Sequence, residues 1–364
     1  MVTRRKVVIG TGAAAVAAGG AFHMLTRAGP AYRDAVLETW TAKSPLQTGE
    51  FNYLVHYATL AANSHNTQPW LFSQAGNTVS IRPDMTRATP AADPDYHHLY
   101  ASLGCAAENL SLAAMAAGSK MSVSFNPEGE GAVEIRPGAG STDSDGLFEA
   151  IVKRQCTRSE YDGRPVSAGE ISQLETAAKV DGCRLIIISE RDRIEQLLAL
   201  AITANTVQVN DAKFAEELKQ WIRFNGAQAA DTRDGLYSAC SGNPSLPPFL
   251  GRIMFDLMFS AGSENDKLAK QVRSSSGLAV FVTEKDDKAH WVQSGRCYQR
   301  FALRATTLGI GHAFVNQLVD VPDVRAEFSQ MLGIGGQRPD LVVRYGYAPA
   351  MPSSLRRPIE EVIV

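Results

Sequence analysis

Two segments of this chain repeat each other at a distance. "GEFNYLVHYA" (49–58) and "GEISQLETAA" (169–178) share Gly-Glu-apolar-x-x-Leu-x-x-x-Ala in register, and "GCAAENLSLAAMAAG" (104–118) matches "GRCYQRFALRATTLG" (295–309) in opening glycine, apolar stripe and closing glycine. The stripes have helical spacing and predict long buried helices, each ended by a glycine that can take the left-handed turn at a helix C-terminus. Repeats this far apart exclude a solenoid, whose units recur every ~20–50 residues. They imply a fused duplication, two similar halves packing as two identical subunits would. Strand-like runs "TVSIRP", "CRLIIIS", "GLAVFVTE" and "DLVVRYGYA" lie between the helical patterns. The expected fold class is therefore α+β, internally duplicated, with one αβ half at 31–150 and the other at 151–364 forming a pseudo-dimer.

The halves differ where the first echo ends. The first half continues into "ANSHNTQPWLF" (62–72), whereas the second passes almost directly into the strand "CRLIIIS". A helix end or turn needs one or two polar side chains, and this run offers six, with Pro69 biasing Gln68 towards extended geometry. It is a candidate ligand-binding segment, and what it serves is expected once per chain. A second asymmetry is the turn-rich stretch at about 205–250, which has no counterpart in the first half.

Several chemistries are excluded. Lys and Arg number 36 against 38 Asp and Glu, for a net charge of −2, and no basic block could neutralise phosphates in series, so no nucleic-acid partner is expected. The five cysteines are spread without metal or disulfide spacing and read as small buried hydrophobes. His97 and His98 are adjacent, without the same-face spacing of a helical metal pair, and no metal is expected there. The sequence has no Ser-His-Asp set, no paired carboxylates, and no Gly-x-Gly-x-x-Gly after a strand for a stably bound dinucleotide.

The N-terminus, "TRRKVVIGTGAAAVAAGGAF", has the build of an export signal: Arg4, Arg5 and Lys6, then a weakly apolar Ala/Gly-rich stretch. The Arg4–Arg5 pair resembles a twin-arginine signal, with Val7 and Val8 where Phe and Leu are more usual. As a helix, Val7 to Phe22 covers under about 25 Å, short for a bilayer core of roughly 30 Å. Residues 1–30 are therefore expected to be a signal or weak anchor, and the protein periplasmic or otherwise extracytoplasmic.

Four segments together resemble the nitroreductase-like, FMN-dependent oxidoreductases. "NSHNTQPWLF" is similar to that family's Ser-x-x-Asn-x-Gln-Pro-Trp-x-Phe loop, and "IVKRQCTRSEYDGRPVSAGEISQLETAA" (151–178) to its opening Arg-x-Ser-x-Arg-x-Phe-x-x-x-Pro-Val. "ATTLGIGHAFVNQ" resembles its Ala-x-x-Leu-Gly-Leu-Gly segment, and "GYAPAMPSSLRRPIEEVIV" its closing Gly-Tyr…Arg-Arg-Pro-Leu-Glu-Glu-Val. The resemblance runs from about residue 49 to the end. It implies FMN as cofactor, with Arg154, Gln155, Cys156 and Arg158 at the ribityl chain and phosphate, Cys156 replacing a serine. Arg356 and Arg357 would close the phosphate site, Arg357 being preferred because it directly precedes the proline. Ala62, Asn63, Ser64 and Asn66 would reach the flavin from the other half, Ala62 standing where a proline is usual. Asn316 and Gln317 would lie beside the ring's redox edge, Gln68 and Trp70 would position the loop, and His65 would face the surface.

Ordinary members of that family are homodimers with two sites. Here the arginine-rich segments occur only in the second half and the Asn-Thr-Gln-Pro-Trp loop only in the first, so one complete site is expected per chain. That pattern resembles the Acg-type subgroup, in which one chain mimics the dimer and the stretch at 205–250 forms a lid. The implied activity is an FMN-dependent oxidoreductase acting on a small aromatic or electron-poor substrate, through hydride or electron transfer at flavin N5. Outside the cytoplasm NAD(P)H is scarce, so a quinol or a redox protein is the expected donor. Two alternatives stay open: a non-catalytic protein that stores FMN under a closed lid, and a reaction that fragments the flavin itself.

Overall fold

The structure is a computed structural model and describes residues 29–139 and 145–364. The export signal expected at 1–30 lies almost wholly outside the described residues. Among those residues no helix is long and apolar enough to cross a membrane.

The first half opens with helices α1 (Pro30–Trp40) and α2 (Glu50–Thr59), followed by strands β1 (Trp70–Ala75) and β2 (Thr78–Pro83). The twenty-residue helix α3 (His97–Ala116) leads to β3 (Met121–Asn126) and β4 (Ala132–Pro137). The second half repeats this plan. Helix α4 (Ala168–Ala177) starts at a capping box between Ser167 and Glu170 and precedes β5 (Cys183–Ile188). After β5 the chain leaves on an excursion: α5 (Arg191–Asn210), α6 (Ala212–Trp221), the short strand β6 (Ile222–Arg223), α7 (Gly226–Thr232), the short strand β7 (Leu236–Tyr237), α8 (Pro248–Met258) and α9 (Ala261–Arg273). It returns at β8 (Gly277–Thr283), then α10 (Lys288–Thr307), β9 (Gly311–Phe314), α11 (Pro322–Leu332) and β10 (Arg338–Gly346).

Both four-stranded sheets are antiparallel throughout and have the same order, β1-β2-β4-β3 in one and β5-β8-β10-β9 in the other. The duplication read from two helical echoes therefore extends to the strands, whose sequences do not visibly repeat. The excursion without counterpart is everything between β5 and β8, where β1 and β2 are joined by a tight turn. Residues 205–250 are only its middle.

One close contact between the halves is reciprocal. A Cβ on Gly104 would lie 2.0 Å from the carbonyl oxygen of Val292, and one on Gly295 would lie 1.9 Å from that of Ala101. The same residue spacing on both helices makes this an isologous contact within one chain. α3 and α10 also end alike, with Ser119 N donating to Ala114 O and Ile310 N to Ala305 O around left-handed Gly118 and Gly309. One apolar core embeds residues of α2, α3, α10 and both sheets, and a second fills the space between α5, α9, α11 and the far face of β8 and β10. The C-terminal tail then crosses back to the first half: Phe72 N donates to Val362 O at 2.7 Å and Val364 N to Phe72 O at 2.9 Å, covering the free edge of β1.

Candidate functional site

The polar run that follows α2 is a strained loop. His65, Asn66 and Gln68 all have positive φ (47°, 53° and 54°), a region that Asn and His enter more readily than most residues. Their side chains are largely committed to the protein. Asn63 Oδ1 accepts from Gln68 N at 2.9 Å. Asn66 Nδ2 donates to Gly235 O (3.0 Å) and Leu355 O (3.1 Å), while its Oδ1 accepts from Arg356 Nη1 (2.9 Å). Gln68 Nε2 donates to Arg233 O at 2.9 Å and its Oε1 accepts from Arg357 N at 2.8 Å. The run thus clamps three segments together: the first half, the excursion around Gly235, and the C-terminal tail. Gln68 and Trp70 are both fully buried, and the two side-chain bonds of Gln68 tie the loop to the excursion and the tail.

Two adjoining cavities lie beside this clamp. The larger, about 260 Å³, takes Ala62, Asn63, Ser64 and His65 from the loop, Ser102 and Cys105 from α3, and Arg158, Tyr298, Phe314, Asn316, Gln317 and Leu341 from the second half. Phe214 of α6 and Leu236 of β7 complete its wall. The smaller, about 50 Å³, is lined by Asn66, Arg154, Gln155, Cys156, Tyr237, Cys240 and Arg356, and shares Ala62, Asn63, Arg158 and Leu236 with the first. One is a mixed aromatic and amide slot, the other a narrow cationic end.

Among the described residues the cationic end has no counter-charge. Arg154 is 4% exposed; its Nη2 reaches Leu60 O at 3.3 Å, while Nε and Nη1 are buried with no partner. Arg356, also 4% exposed, spends its donors on Thr59 O, Asn66 Oδ1, Ser354 Oγ and the carbonyls of Leu60, Ala61 and Leu355. Burial, reinforced by Arg154 nearby, pushes its pKa down to about 9. Half-buried Arg158 makes no ion pair through its side chain among the described residues. Buried cations without carboxylate partners are costly, and a bound anion would offset that cost.

Several of the sequence expectations need correction. Arg357 lines neither cavity: its side chain turns to Glu361 (3.2 Å) and towards Asp84, so Arg356 rather than Arg357 faces the site. His65 is not a surface residue; it lines the larger cavity, accepts or donates at Ser64 Oγ (3.1 Å), and burial drives its pKa to about 4. Asn63 and Asn66 edge the cavities, but their amides are already engaged. Gln155 Oε1 likewise accepts from Met351 N at 2.6 Å, and Asn316 Oδ1 from Val342 N at 2.9 Å, whereas Gln317 Oε1 is buried and unpartnered. Cys156 Sγ sits 3.9 Å from Tyr298 Oη, which reaches His312 Nδ1 at 3.3 Å.

His98 also lines the larger cavity, with its Nε2 2.6 Å from Asp320 Oδ1, while His97 Nε2 meets Asp340 Oδ1 at 2.9 Å. Asp93 spends its carboxylate on the backbone N–H groups of His98 and Leu99 at the start of α3. Each of Asp93, His97 and His98 could offer a ligand atom within 4.8 Å of the others; all three have protein partners, and Nδ1 of both His97 and His98 stays buried without one. Burial alone would depress the His98 pKa; the charge and hydrogen bond of Asp320, helped by Asp93, overcome it and raise the value to about 9. A folded pKa above the unfolded value of about 6.5 stabilises the fold fully below about pH 6.5, and the gain is lost as pH rises through about 9. Asp320→Asn is therefore expected to cost about 2 kcal/mol at pH 6, with the difference from the parent closing by about pH 10. Urea denaturation at both pH values checks this, and a pH-independent difference refutes the charged pair.

The pseudo-equivalent position on the other side of the α3–α10 contact is built differently. Where the site side pairs Gln299 Nε2 with Asn109 Oδ1 (2.7 Å), the other side buries Glu108 between Arg296 Nε (2.9 Å) and Arg300 Nη1 (2.7 Å). Arg296 stands in place of Cys105, and the short link from α4 to β5 supplies no polar loop. The described residues therefore assemble one such cavity pair from both halves.

The sequence did not single out Phe214, Leu236, Tyr237 and Tyr298 as lining residues. The only signal for the first three was their place in a segment that the first half lacks.

No family model matches the chain, and no curated protein matches it. Among solved structures, a nitroreductase with bound FMN from Desulfitobacterium hafniense aligns at 15% identity over 61% of this chain and 98% of that one, with a TM-score of 0.39. A nitroreductase with bound FMN from Bacteroides fragilis aligns at 15% identity over 56% and 88%, TM-score 0.32. The NADPH:FMN oxidoreductase of Vibrio harveyi complexed with NAD+ aligns at 13% over 58% and 73%, TM-score 0.34.

Proposed function

We propose that this chain is an FMN-dependent oxidoreductase of the nitroreductase-like kind, holding one flavin between its two halves. The observation that carries the reading is Arg154: a buried guanidinium with two unpartnered nitrogens, beside a second buried guanidinium, at the narrow end of an aromatic and amide-lined slot. A phosphate of nearly two negative charges on a flat aromatic body fits both ends, and guanidinium groups bind phosphate oxygens in pairs. Arg154 and Arg158 would hold the phosphate, and Arg356 would add positive charge from behind while Asn66 fixes its position. Ala62, Ser64, Tyr298, Phe314 and Gln317 would border the ring.

Bound FMN supplies hydride or electron transfer through N5. The protein's part is to position and exclude. Phe214 and Leu236 would cover the slot, and His98 with Asp320 places an ion pair rather than a net charge on its wall. The substrate class is a small aromatic or electron-poor molecule. Together with the Arg4–Arg5 signal, the proposal extends to twin-arginine export of the folded holoprotein, an extracytoplasmic location, and a quinol or redox-protein donor. The single-chain pairing of halves suits the Acg-type subgroup and a monomer.

The cover is latched, and this favours a second reading, a non-catalytic flavin store. Gly235 N and O are both bonded to Asn66, Arg233 O to Gln68, and Glu217 of α6 accepts from Ala91 N and Ala92 N at 3.0 and 2.9 Å. Anaerobic photoreduction followed by mixing with nitroaromatics or quinones decides between them. Reoxidation faster than free FMN is the result expected of the enzyme, and inert reduced flavin that of the store. Mass spectrometry of the released cofactor would reveal flavin fragmentation.

The latch carries its own prediction. Asn66→Ala removes two donors to the cover and tail and the acceptor for Arg356, an expected loss of about 2 kcal/mol in stability with flavin release accelerated about tenfold. Thermal melts and flavin-fluorescence recovery measure both. An unchanged release rate separates the loop from the cover.

A further inference from the structure

We infer that the excursion docks on a lipid bilayer through α8. Four of the large apolar side chains this chain exposes belong to that one helix: Phe249 (70% exposed), Ile253 (51%), Leu257 (75%) and Met258 (61%). Phe249, Ile253 and Leu257 are four residues apart and share a face. The opposite face is seated by Gly251, where an added Cβ would meet the Phe224 ring at 2.3 Å. The helix is thus pressed onto the excursion by its glycine side and turns its apolar stripe outward. A contiguous exposed stripe of this kind marks a contact surface.

The occupant follows from what joins the same region. The chain reaches the described residues at Gly29 after "TRRKVVIGTGAAAVAAGGAF", and α1 then packs on the excursion: Tyr32 and Tyr237 have ring centroids 4.9 Å apart, and Glu38 pairs with Arg233 at 2.7 Å. Leu37 of α1 is itself 65% exposed. A short apolar N-terminal stretch and the α8 stripe are therefore tied to one unit, and two weak membrane signals together give stable attachment where one gives only marginal binding. At about 16 Å, α8 is too short to span a bilayer and would lie in its plane. Its one arginine, Arg252, and Lys219 of α6 beside it are offset in net charge by Asp256 and Glu216, both of which pair with Lys219 (2.9 and 3.0 Å), so attachment depends on apolar burial and is only weakly sensitive to salt. The inference rests on the extracytoplasmic reading above and deepens it, because docking through the cover brings the slot close to lipid-soluble reductants.

The test is flotation of the full chain with vesicles of phosphatidylethanolamine and phosphatidylglycerol, at low and high salt, beside the triple variant Phe249→Glu, Ile253→Glu, Leu257→Glu. The parent is expected to float at both salt concentrations, and the variant to partition at least about tenfold less into the vesicle fraction. Unaltered circular dichroism and thermal melting in the variant establish that the fold survives. Equal flotation of the two proteins overturns the inference, as does binding abolished by salt. Light scattering that shows a dimer dissolved by the triple variant, without vesicle binding, assigns the stripe to a second copy and overturns it too. Flavin content, read from the visible spectrum of the same samples, is independent: colourless protein that floats defeats the flavin reading alone, and yellow protein that stays in the lower fraction defeats the docking alone.

Discussion

Arg154→Met is expected to lower flavin affinity roughly a thousandfold, about 4 kcal/mol, without lowering the melting temperature of the flavin-free protein. The two halves of this result have one cause. Without an anion, Arg154 is a buried charge with unpartnered Nε and Nη1, facing a second buried guanidinium on Arg356 and making one contact to Leu60 O at 3.3 Å. Replacing it by an unbranched apolar side chain gives up that one weak bond but removes the desolvation cost of an unpaired ion, a cost that commonly exceeds what such a bond returns. With a phosphate present the balance reverses, because the arginine then gains charge-assisted hydrogen bonds that Met cannot make. Fluorescence titration with FMN and melts of the flavin-free proteins test both arms. Near-parental affinity would exclude the narrow end as a phosphate site, and a marked loss of apo stability would make Arg154 a structural residue. Arg158→Ala is expected to weaken binding less, since a half-buried guanidinium is partly screened by water.

Gly295→Ala is expected to destabilise the fold by more than about 3 kcal/mol, or to prevent folding. The added methyl would lie 1.9 Å from the carbonyl oxygen of Ala101, which is held inside α3 and cannot move aside as a side-chain tip could. Relief requires α3 and α10 to separate, and those two helices carry the core shared by both halves. Pseudo-symmetry sharpens the test. Gly104→Ala meets Val292 O at 2.0 Å across the same crossing, so it should cost nearly as much. In the double variant the two costs should fall well short of adding, because one separation relieves both clashes. Denaturant titration of the three variants supplies the comparison, and a mild effect of either single change would mean that the halves are not locked by this contact.

The architecture was visible in the sequence because it is written in local terms. Helical spacing of apolar residues and the closing glycines at 118 and 309 placed α3 and α10, and the runs at 78, 183, 277 and 340 became β2, β5, β8 and the core of β10. The single copy of the polar run, and of the Arg154–Arg158 segment, was equally plain from comparing one half with the other. The extent of the excursion was not, because α5 and α9 have the same helical periodicity as the duplicated helices and only the sheet order exposes them as inserted. Arg356 and Arg357 show a different gap. Adjacent side chains of an extended segment leave on opposite sides, and the sequence does not say which one turns inward. The bond from Arg357 N to Gln68 Oε1 sets that phase.

What the sequence determined by itself was the inventory: two matching halves, one polar loop in the first, two arginine pairs in the second, and hence one composite site. What only the tertiary structure decided was which of those polar groups remain available. Asn63, Asn66, Gln155 and Asn316 looked like ligand contacts and are spent on the protein, while Arg154 is left with unpartnered nitrogens. The physical reason is that a hydrogen bond is satisfied in space rather than along the chain. Asn66 meets its partners at Gly235, Leu355 and Arg356, far away in sequence, and no local pattern records that they arrive there first.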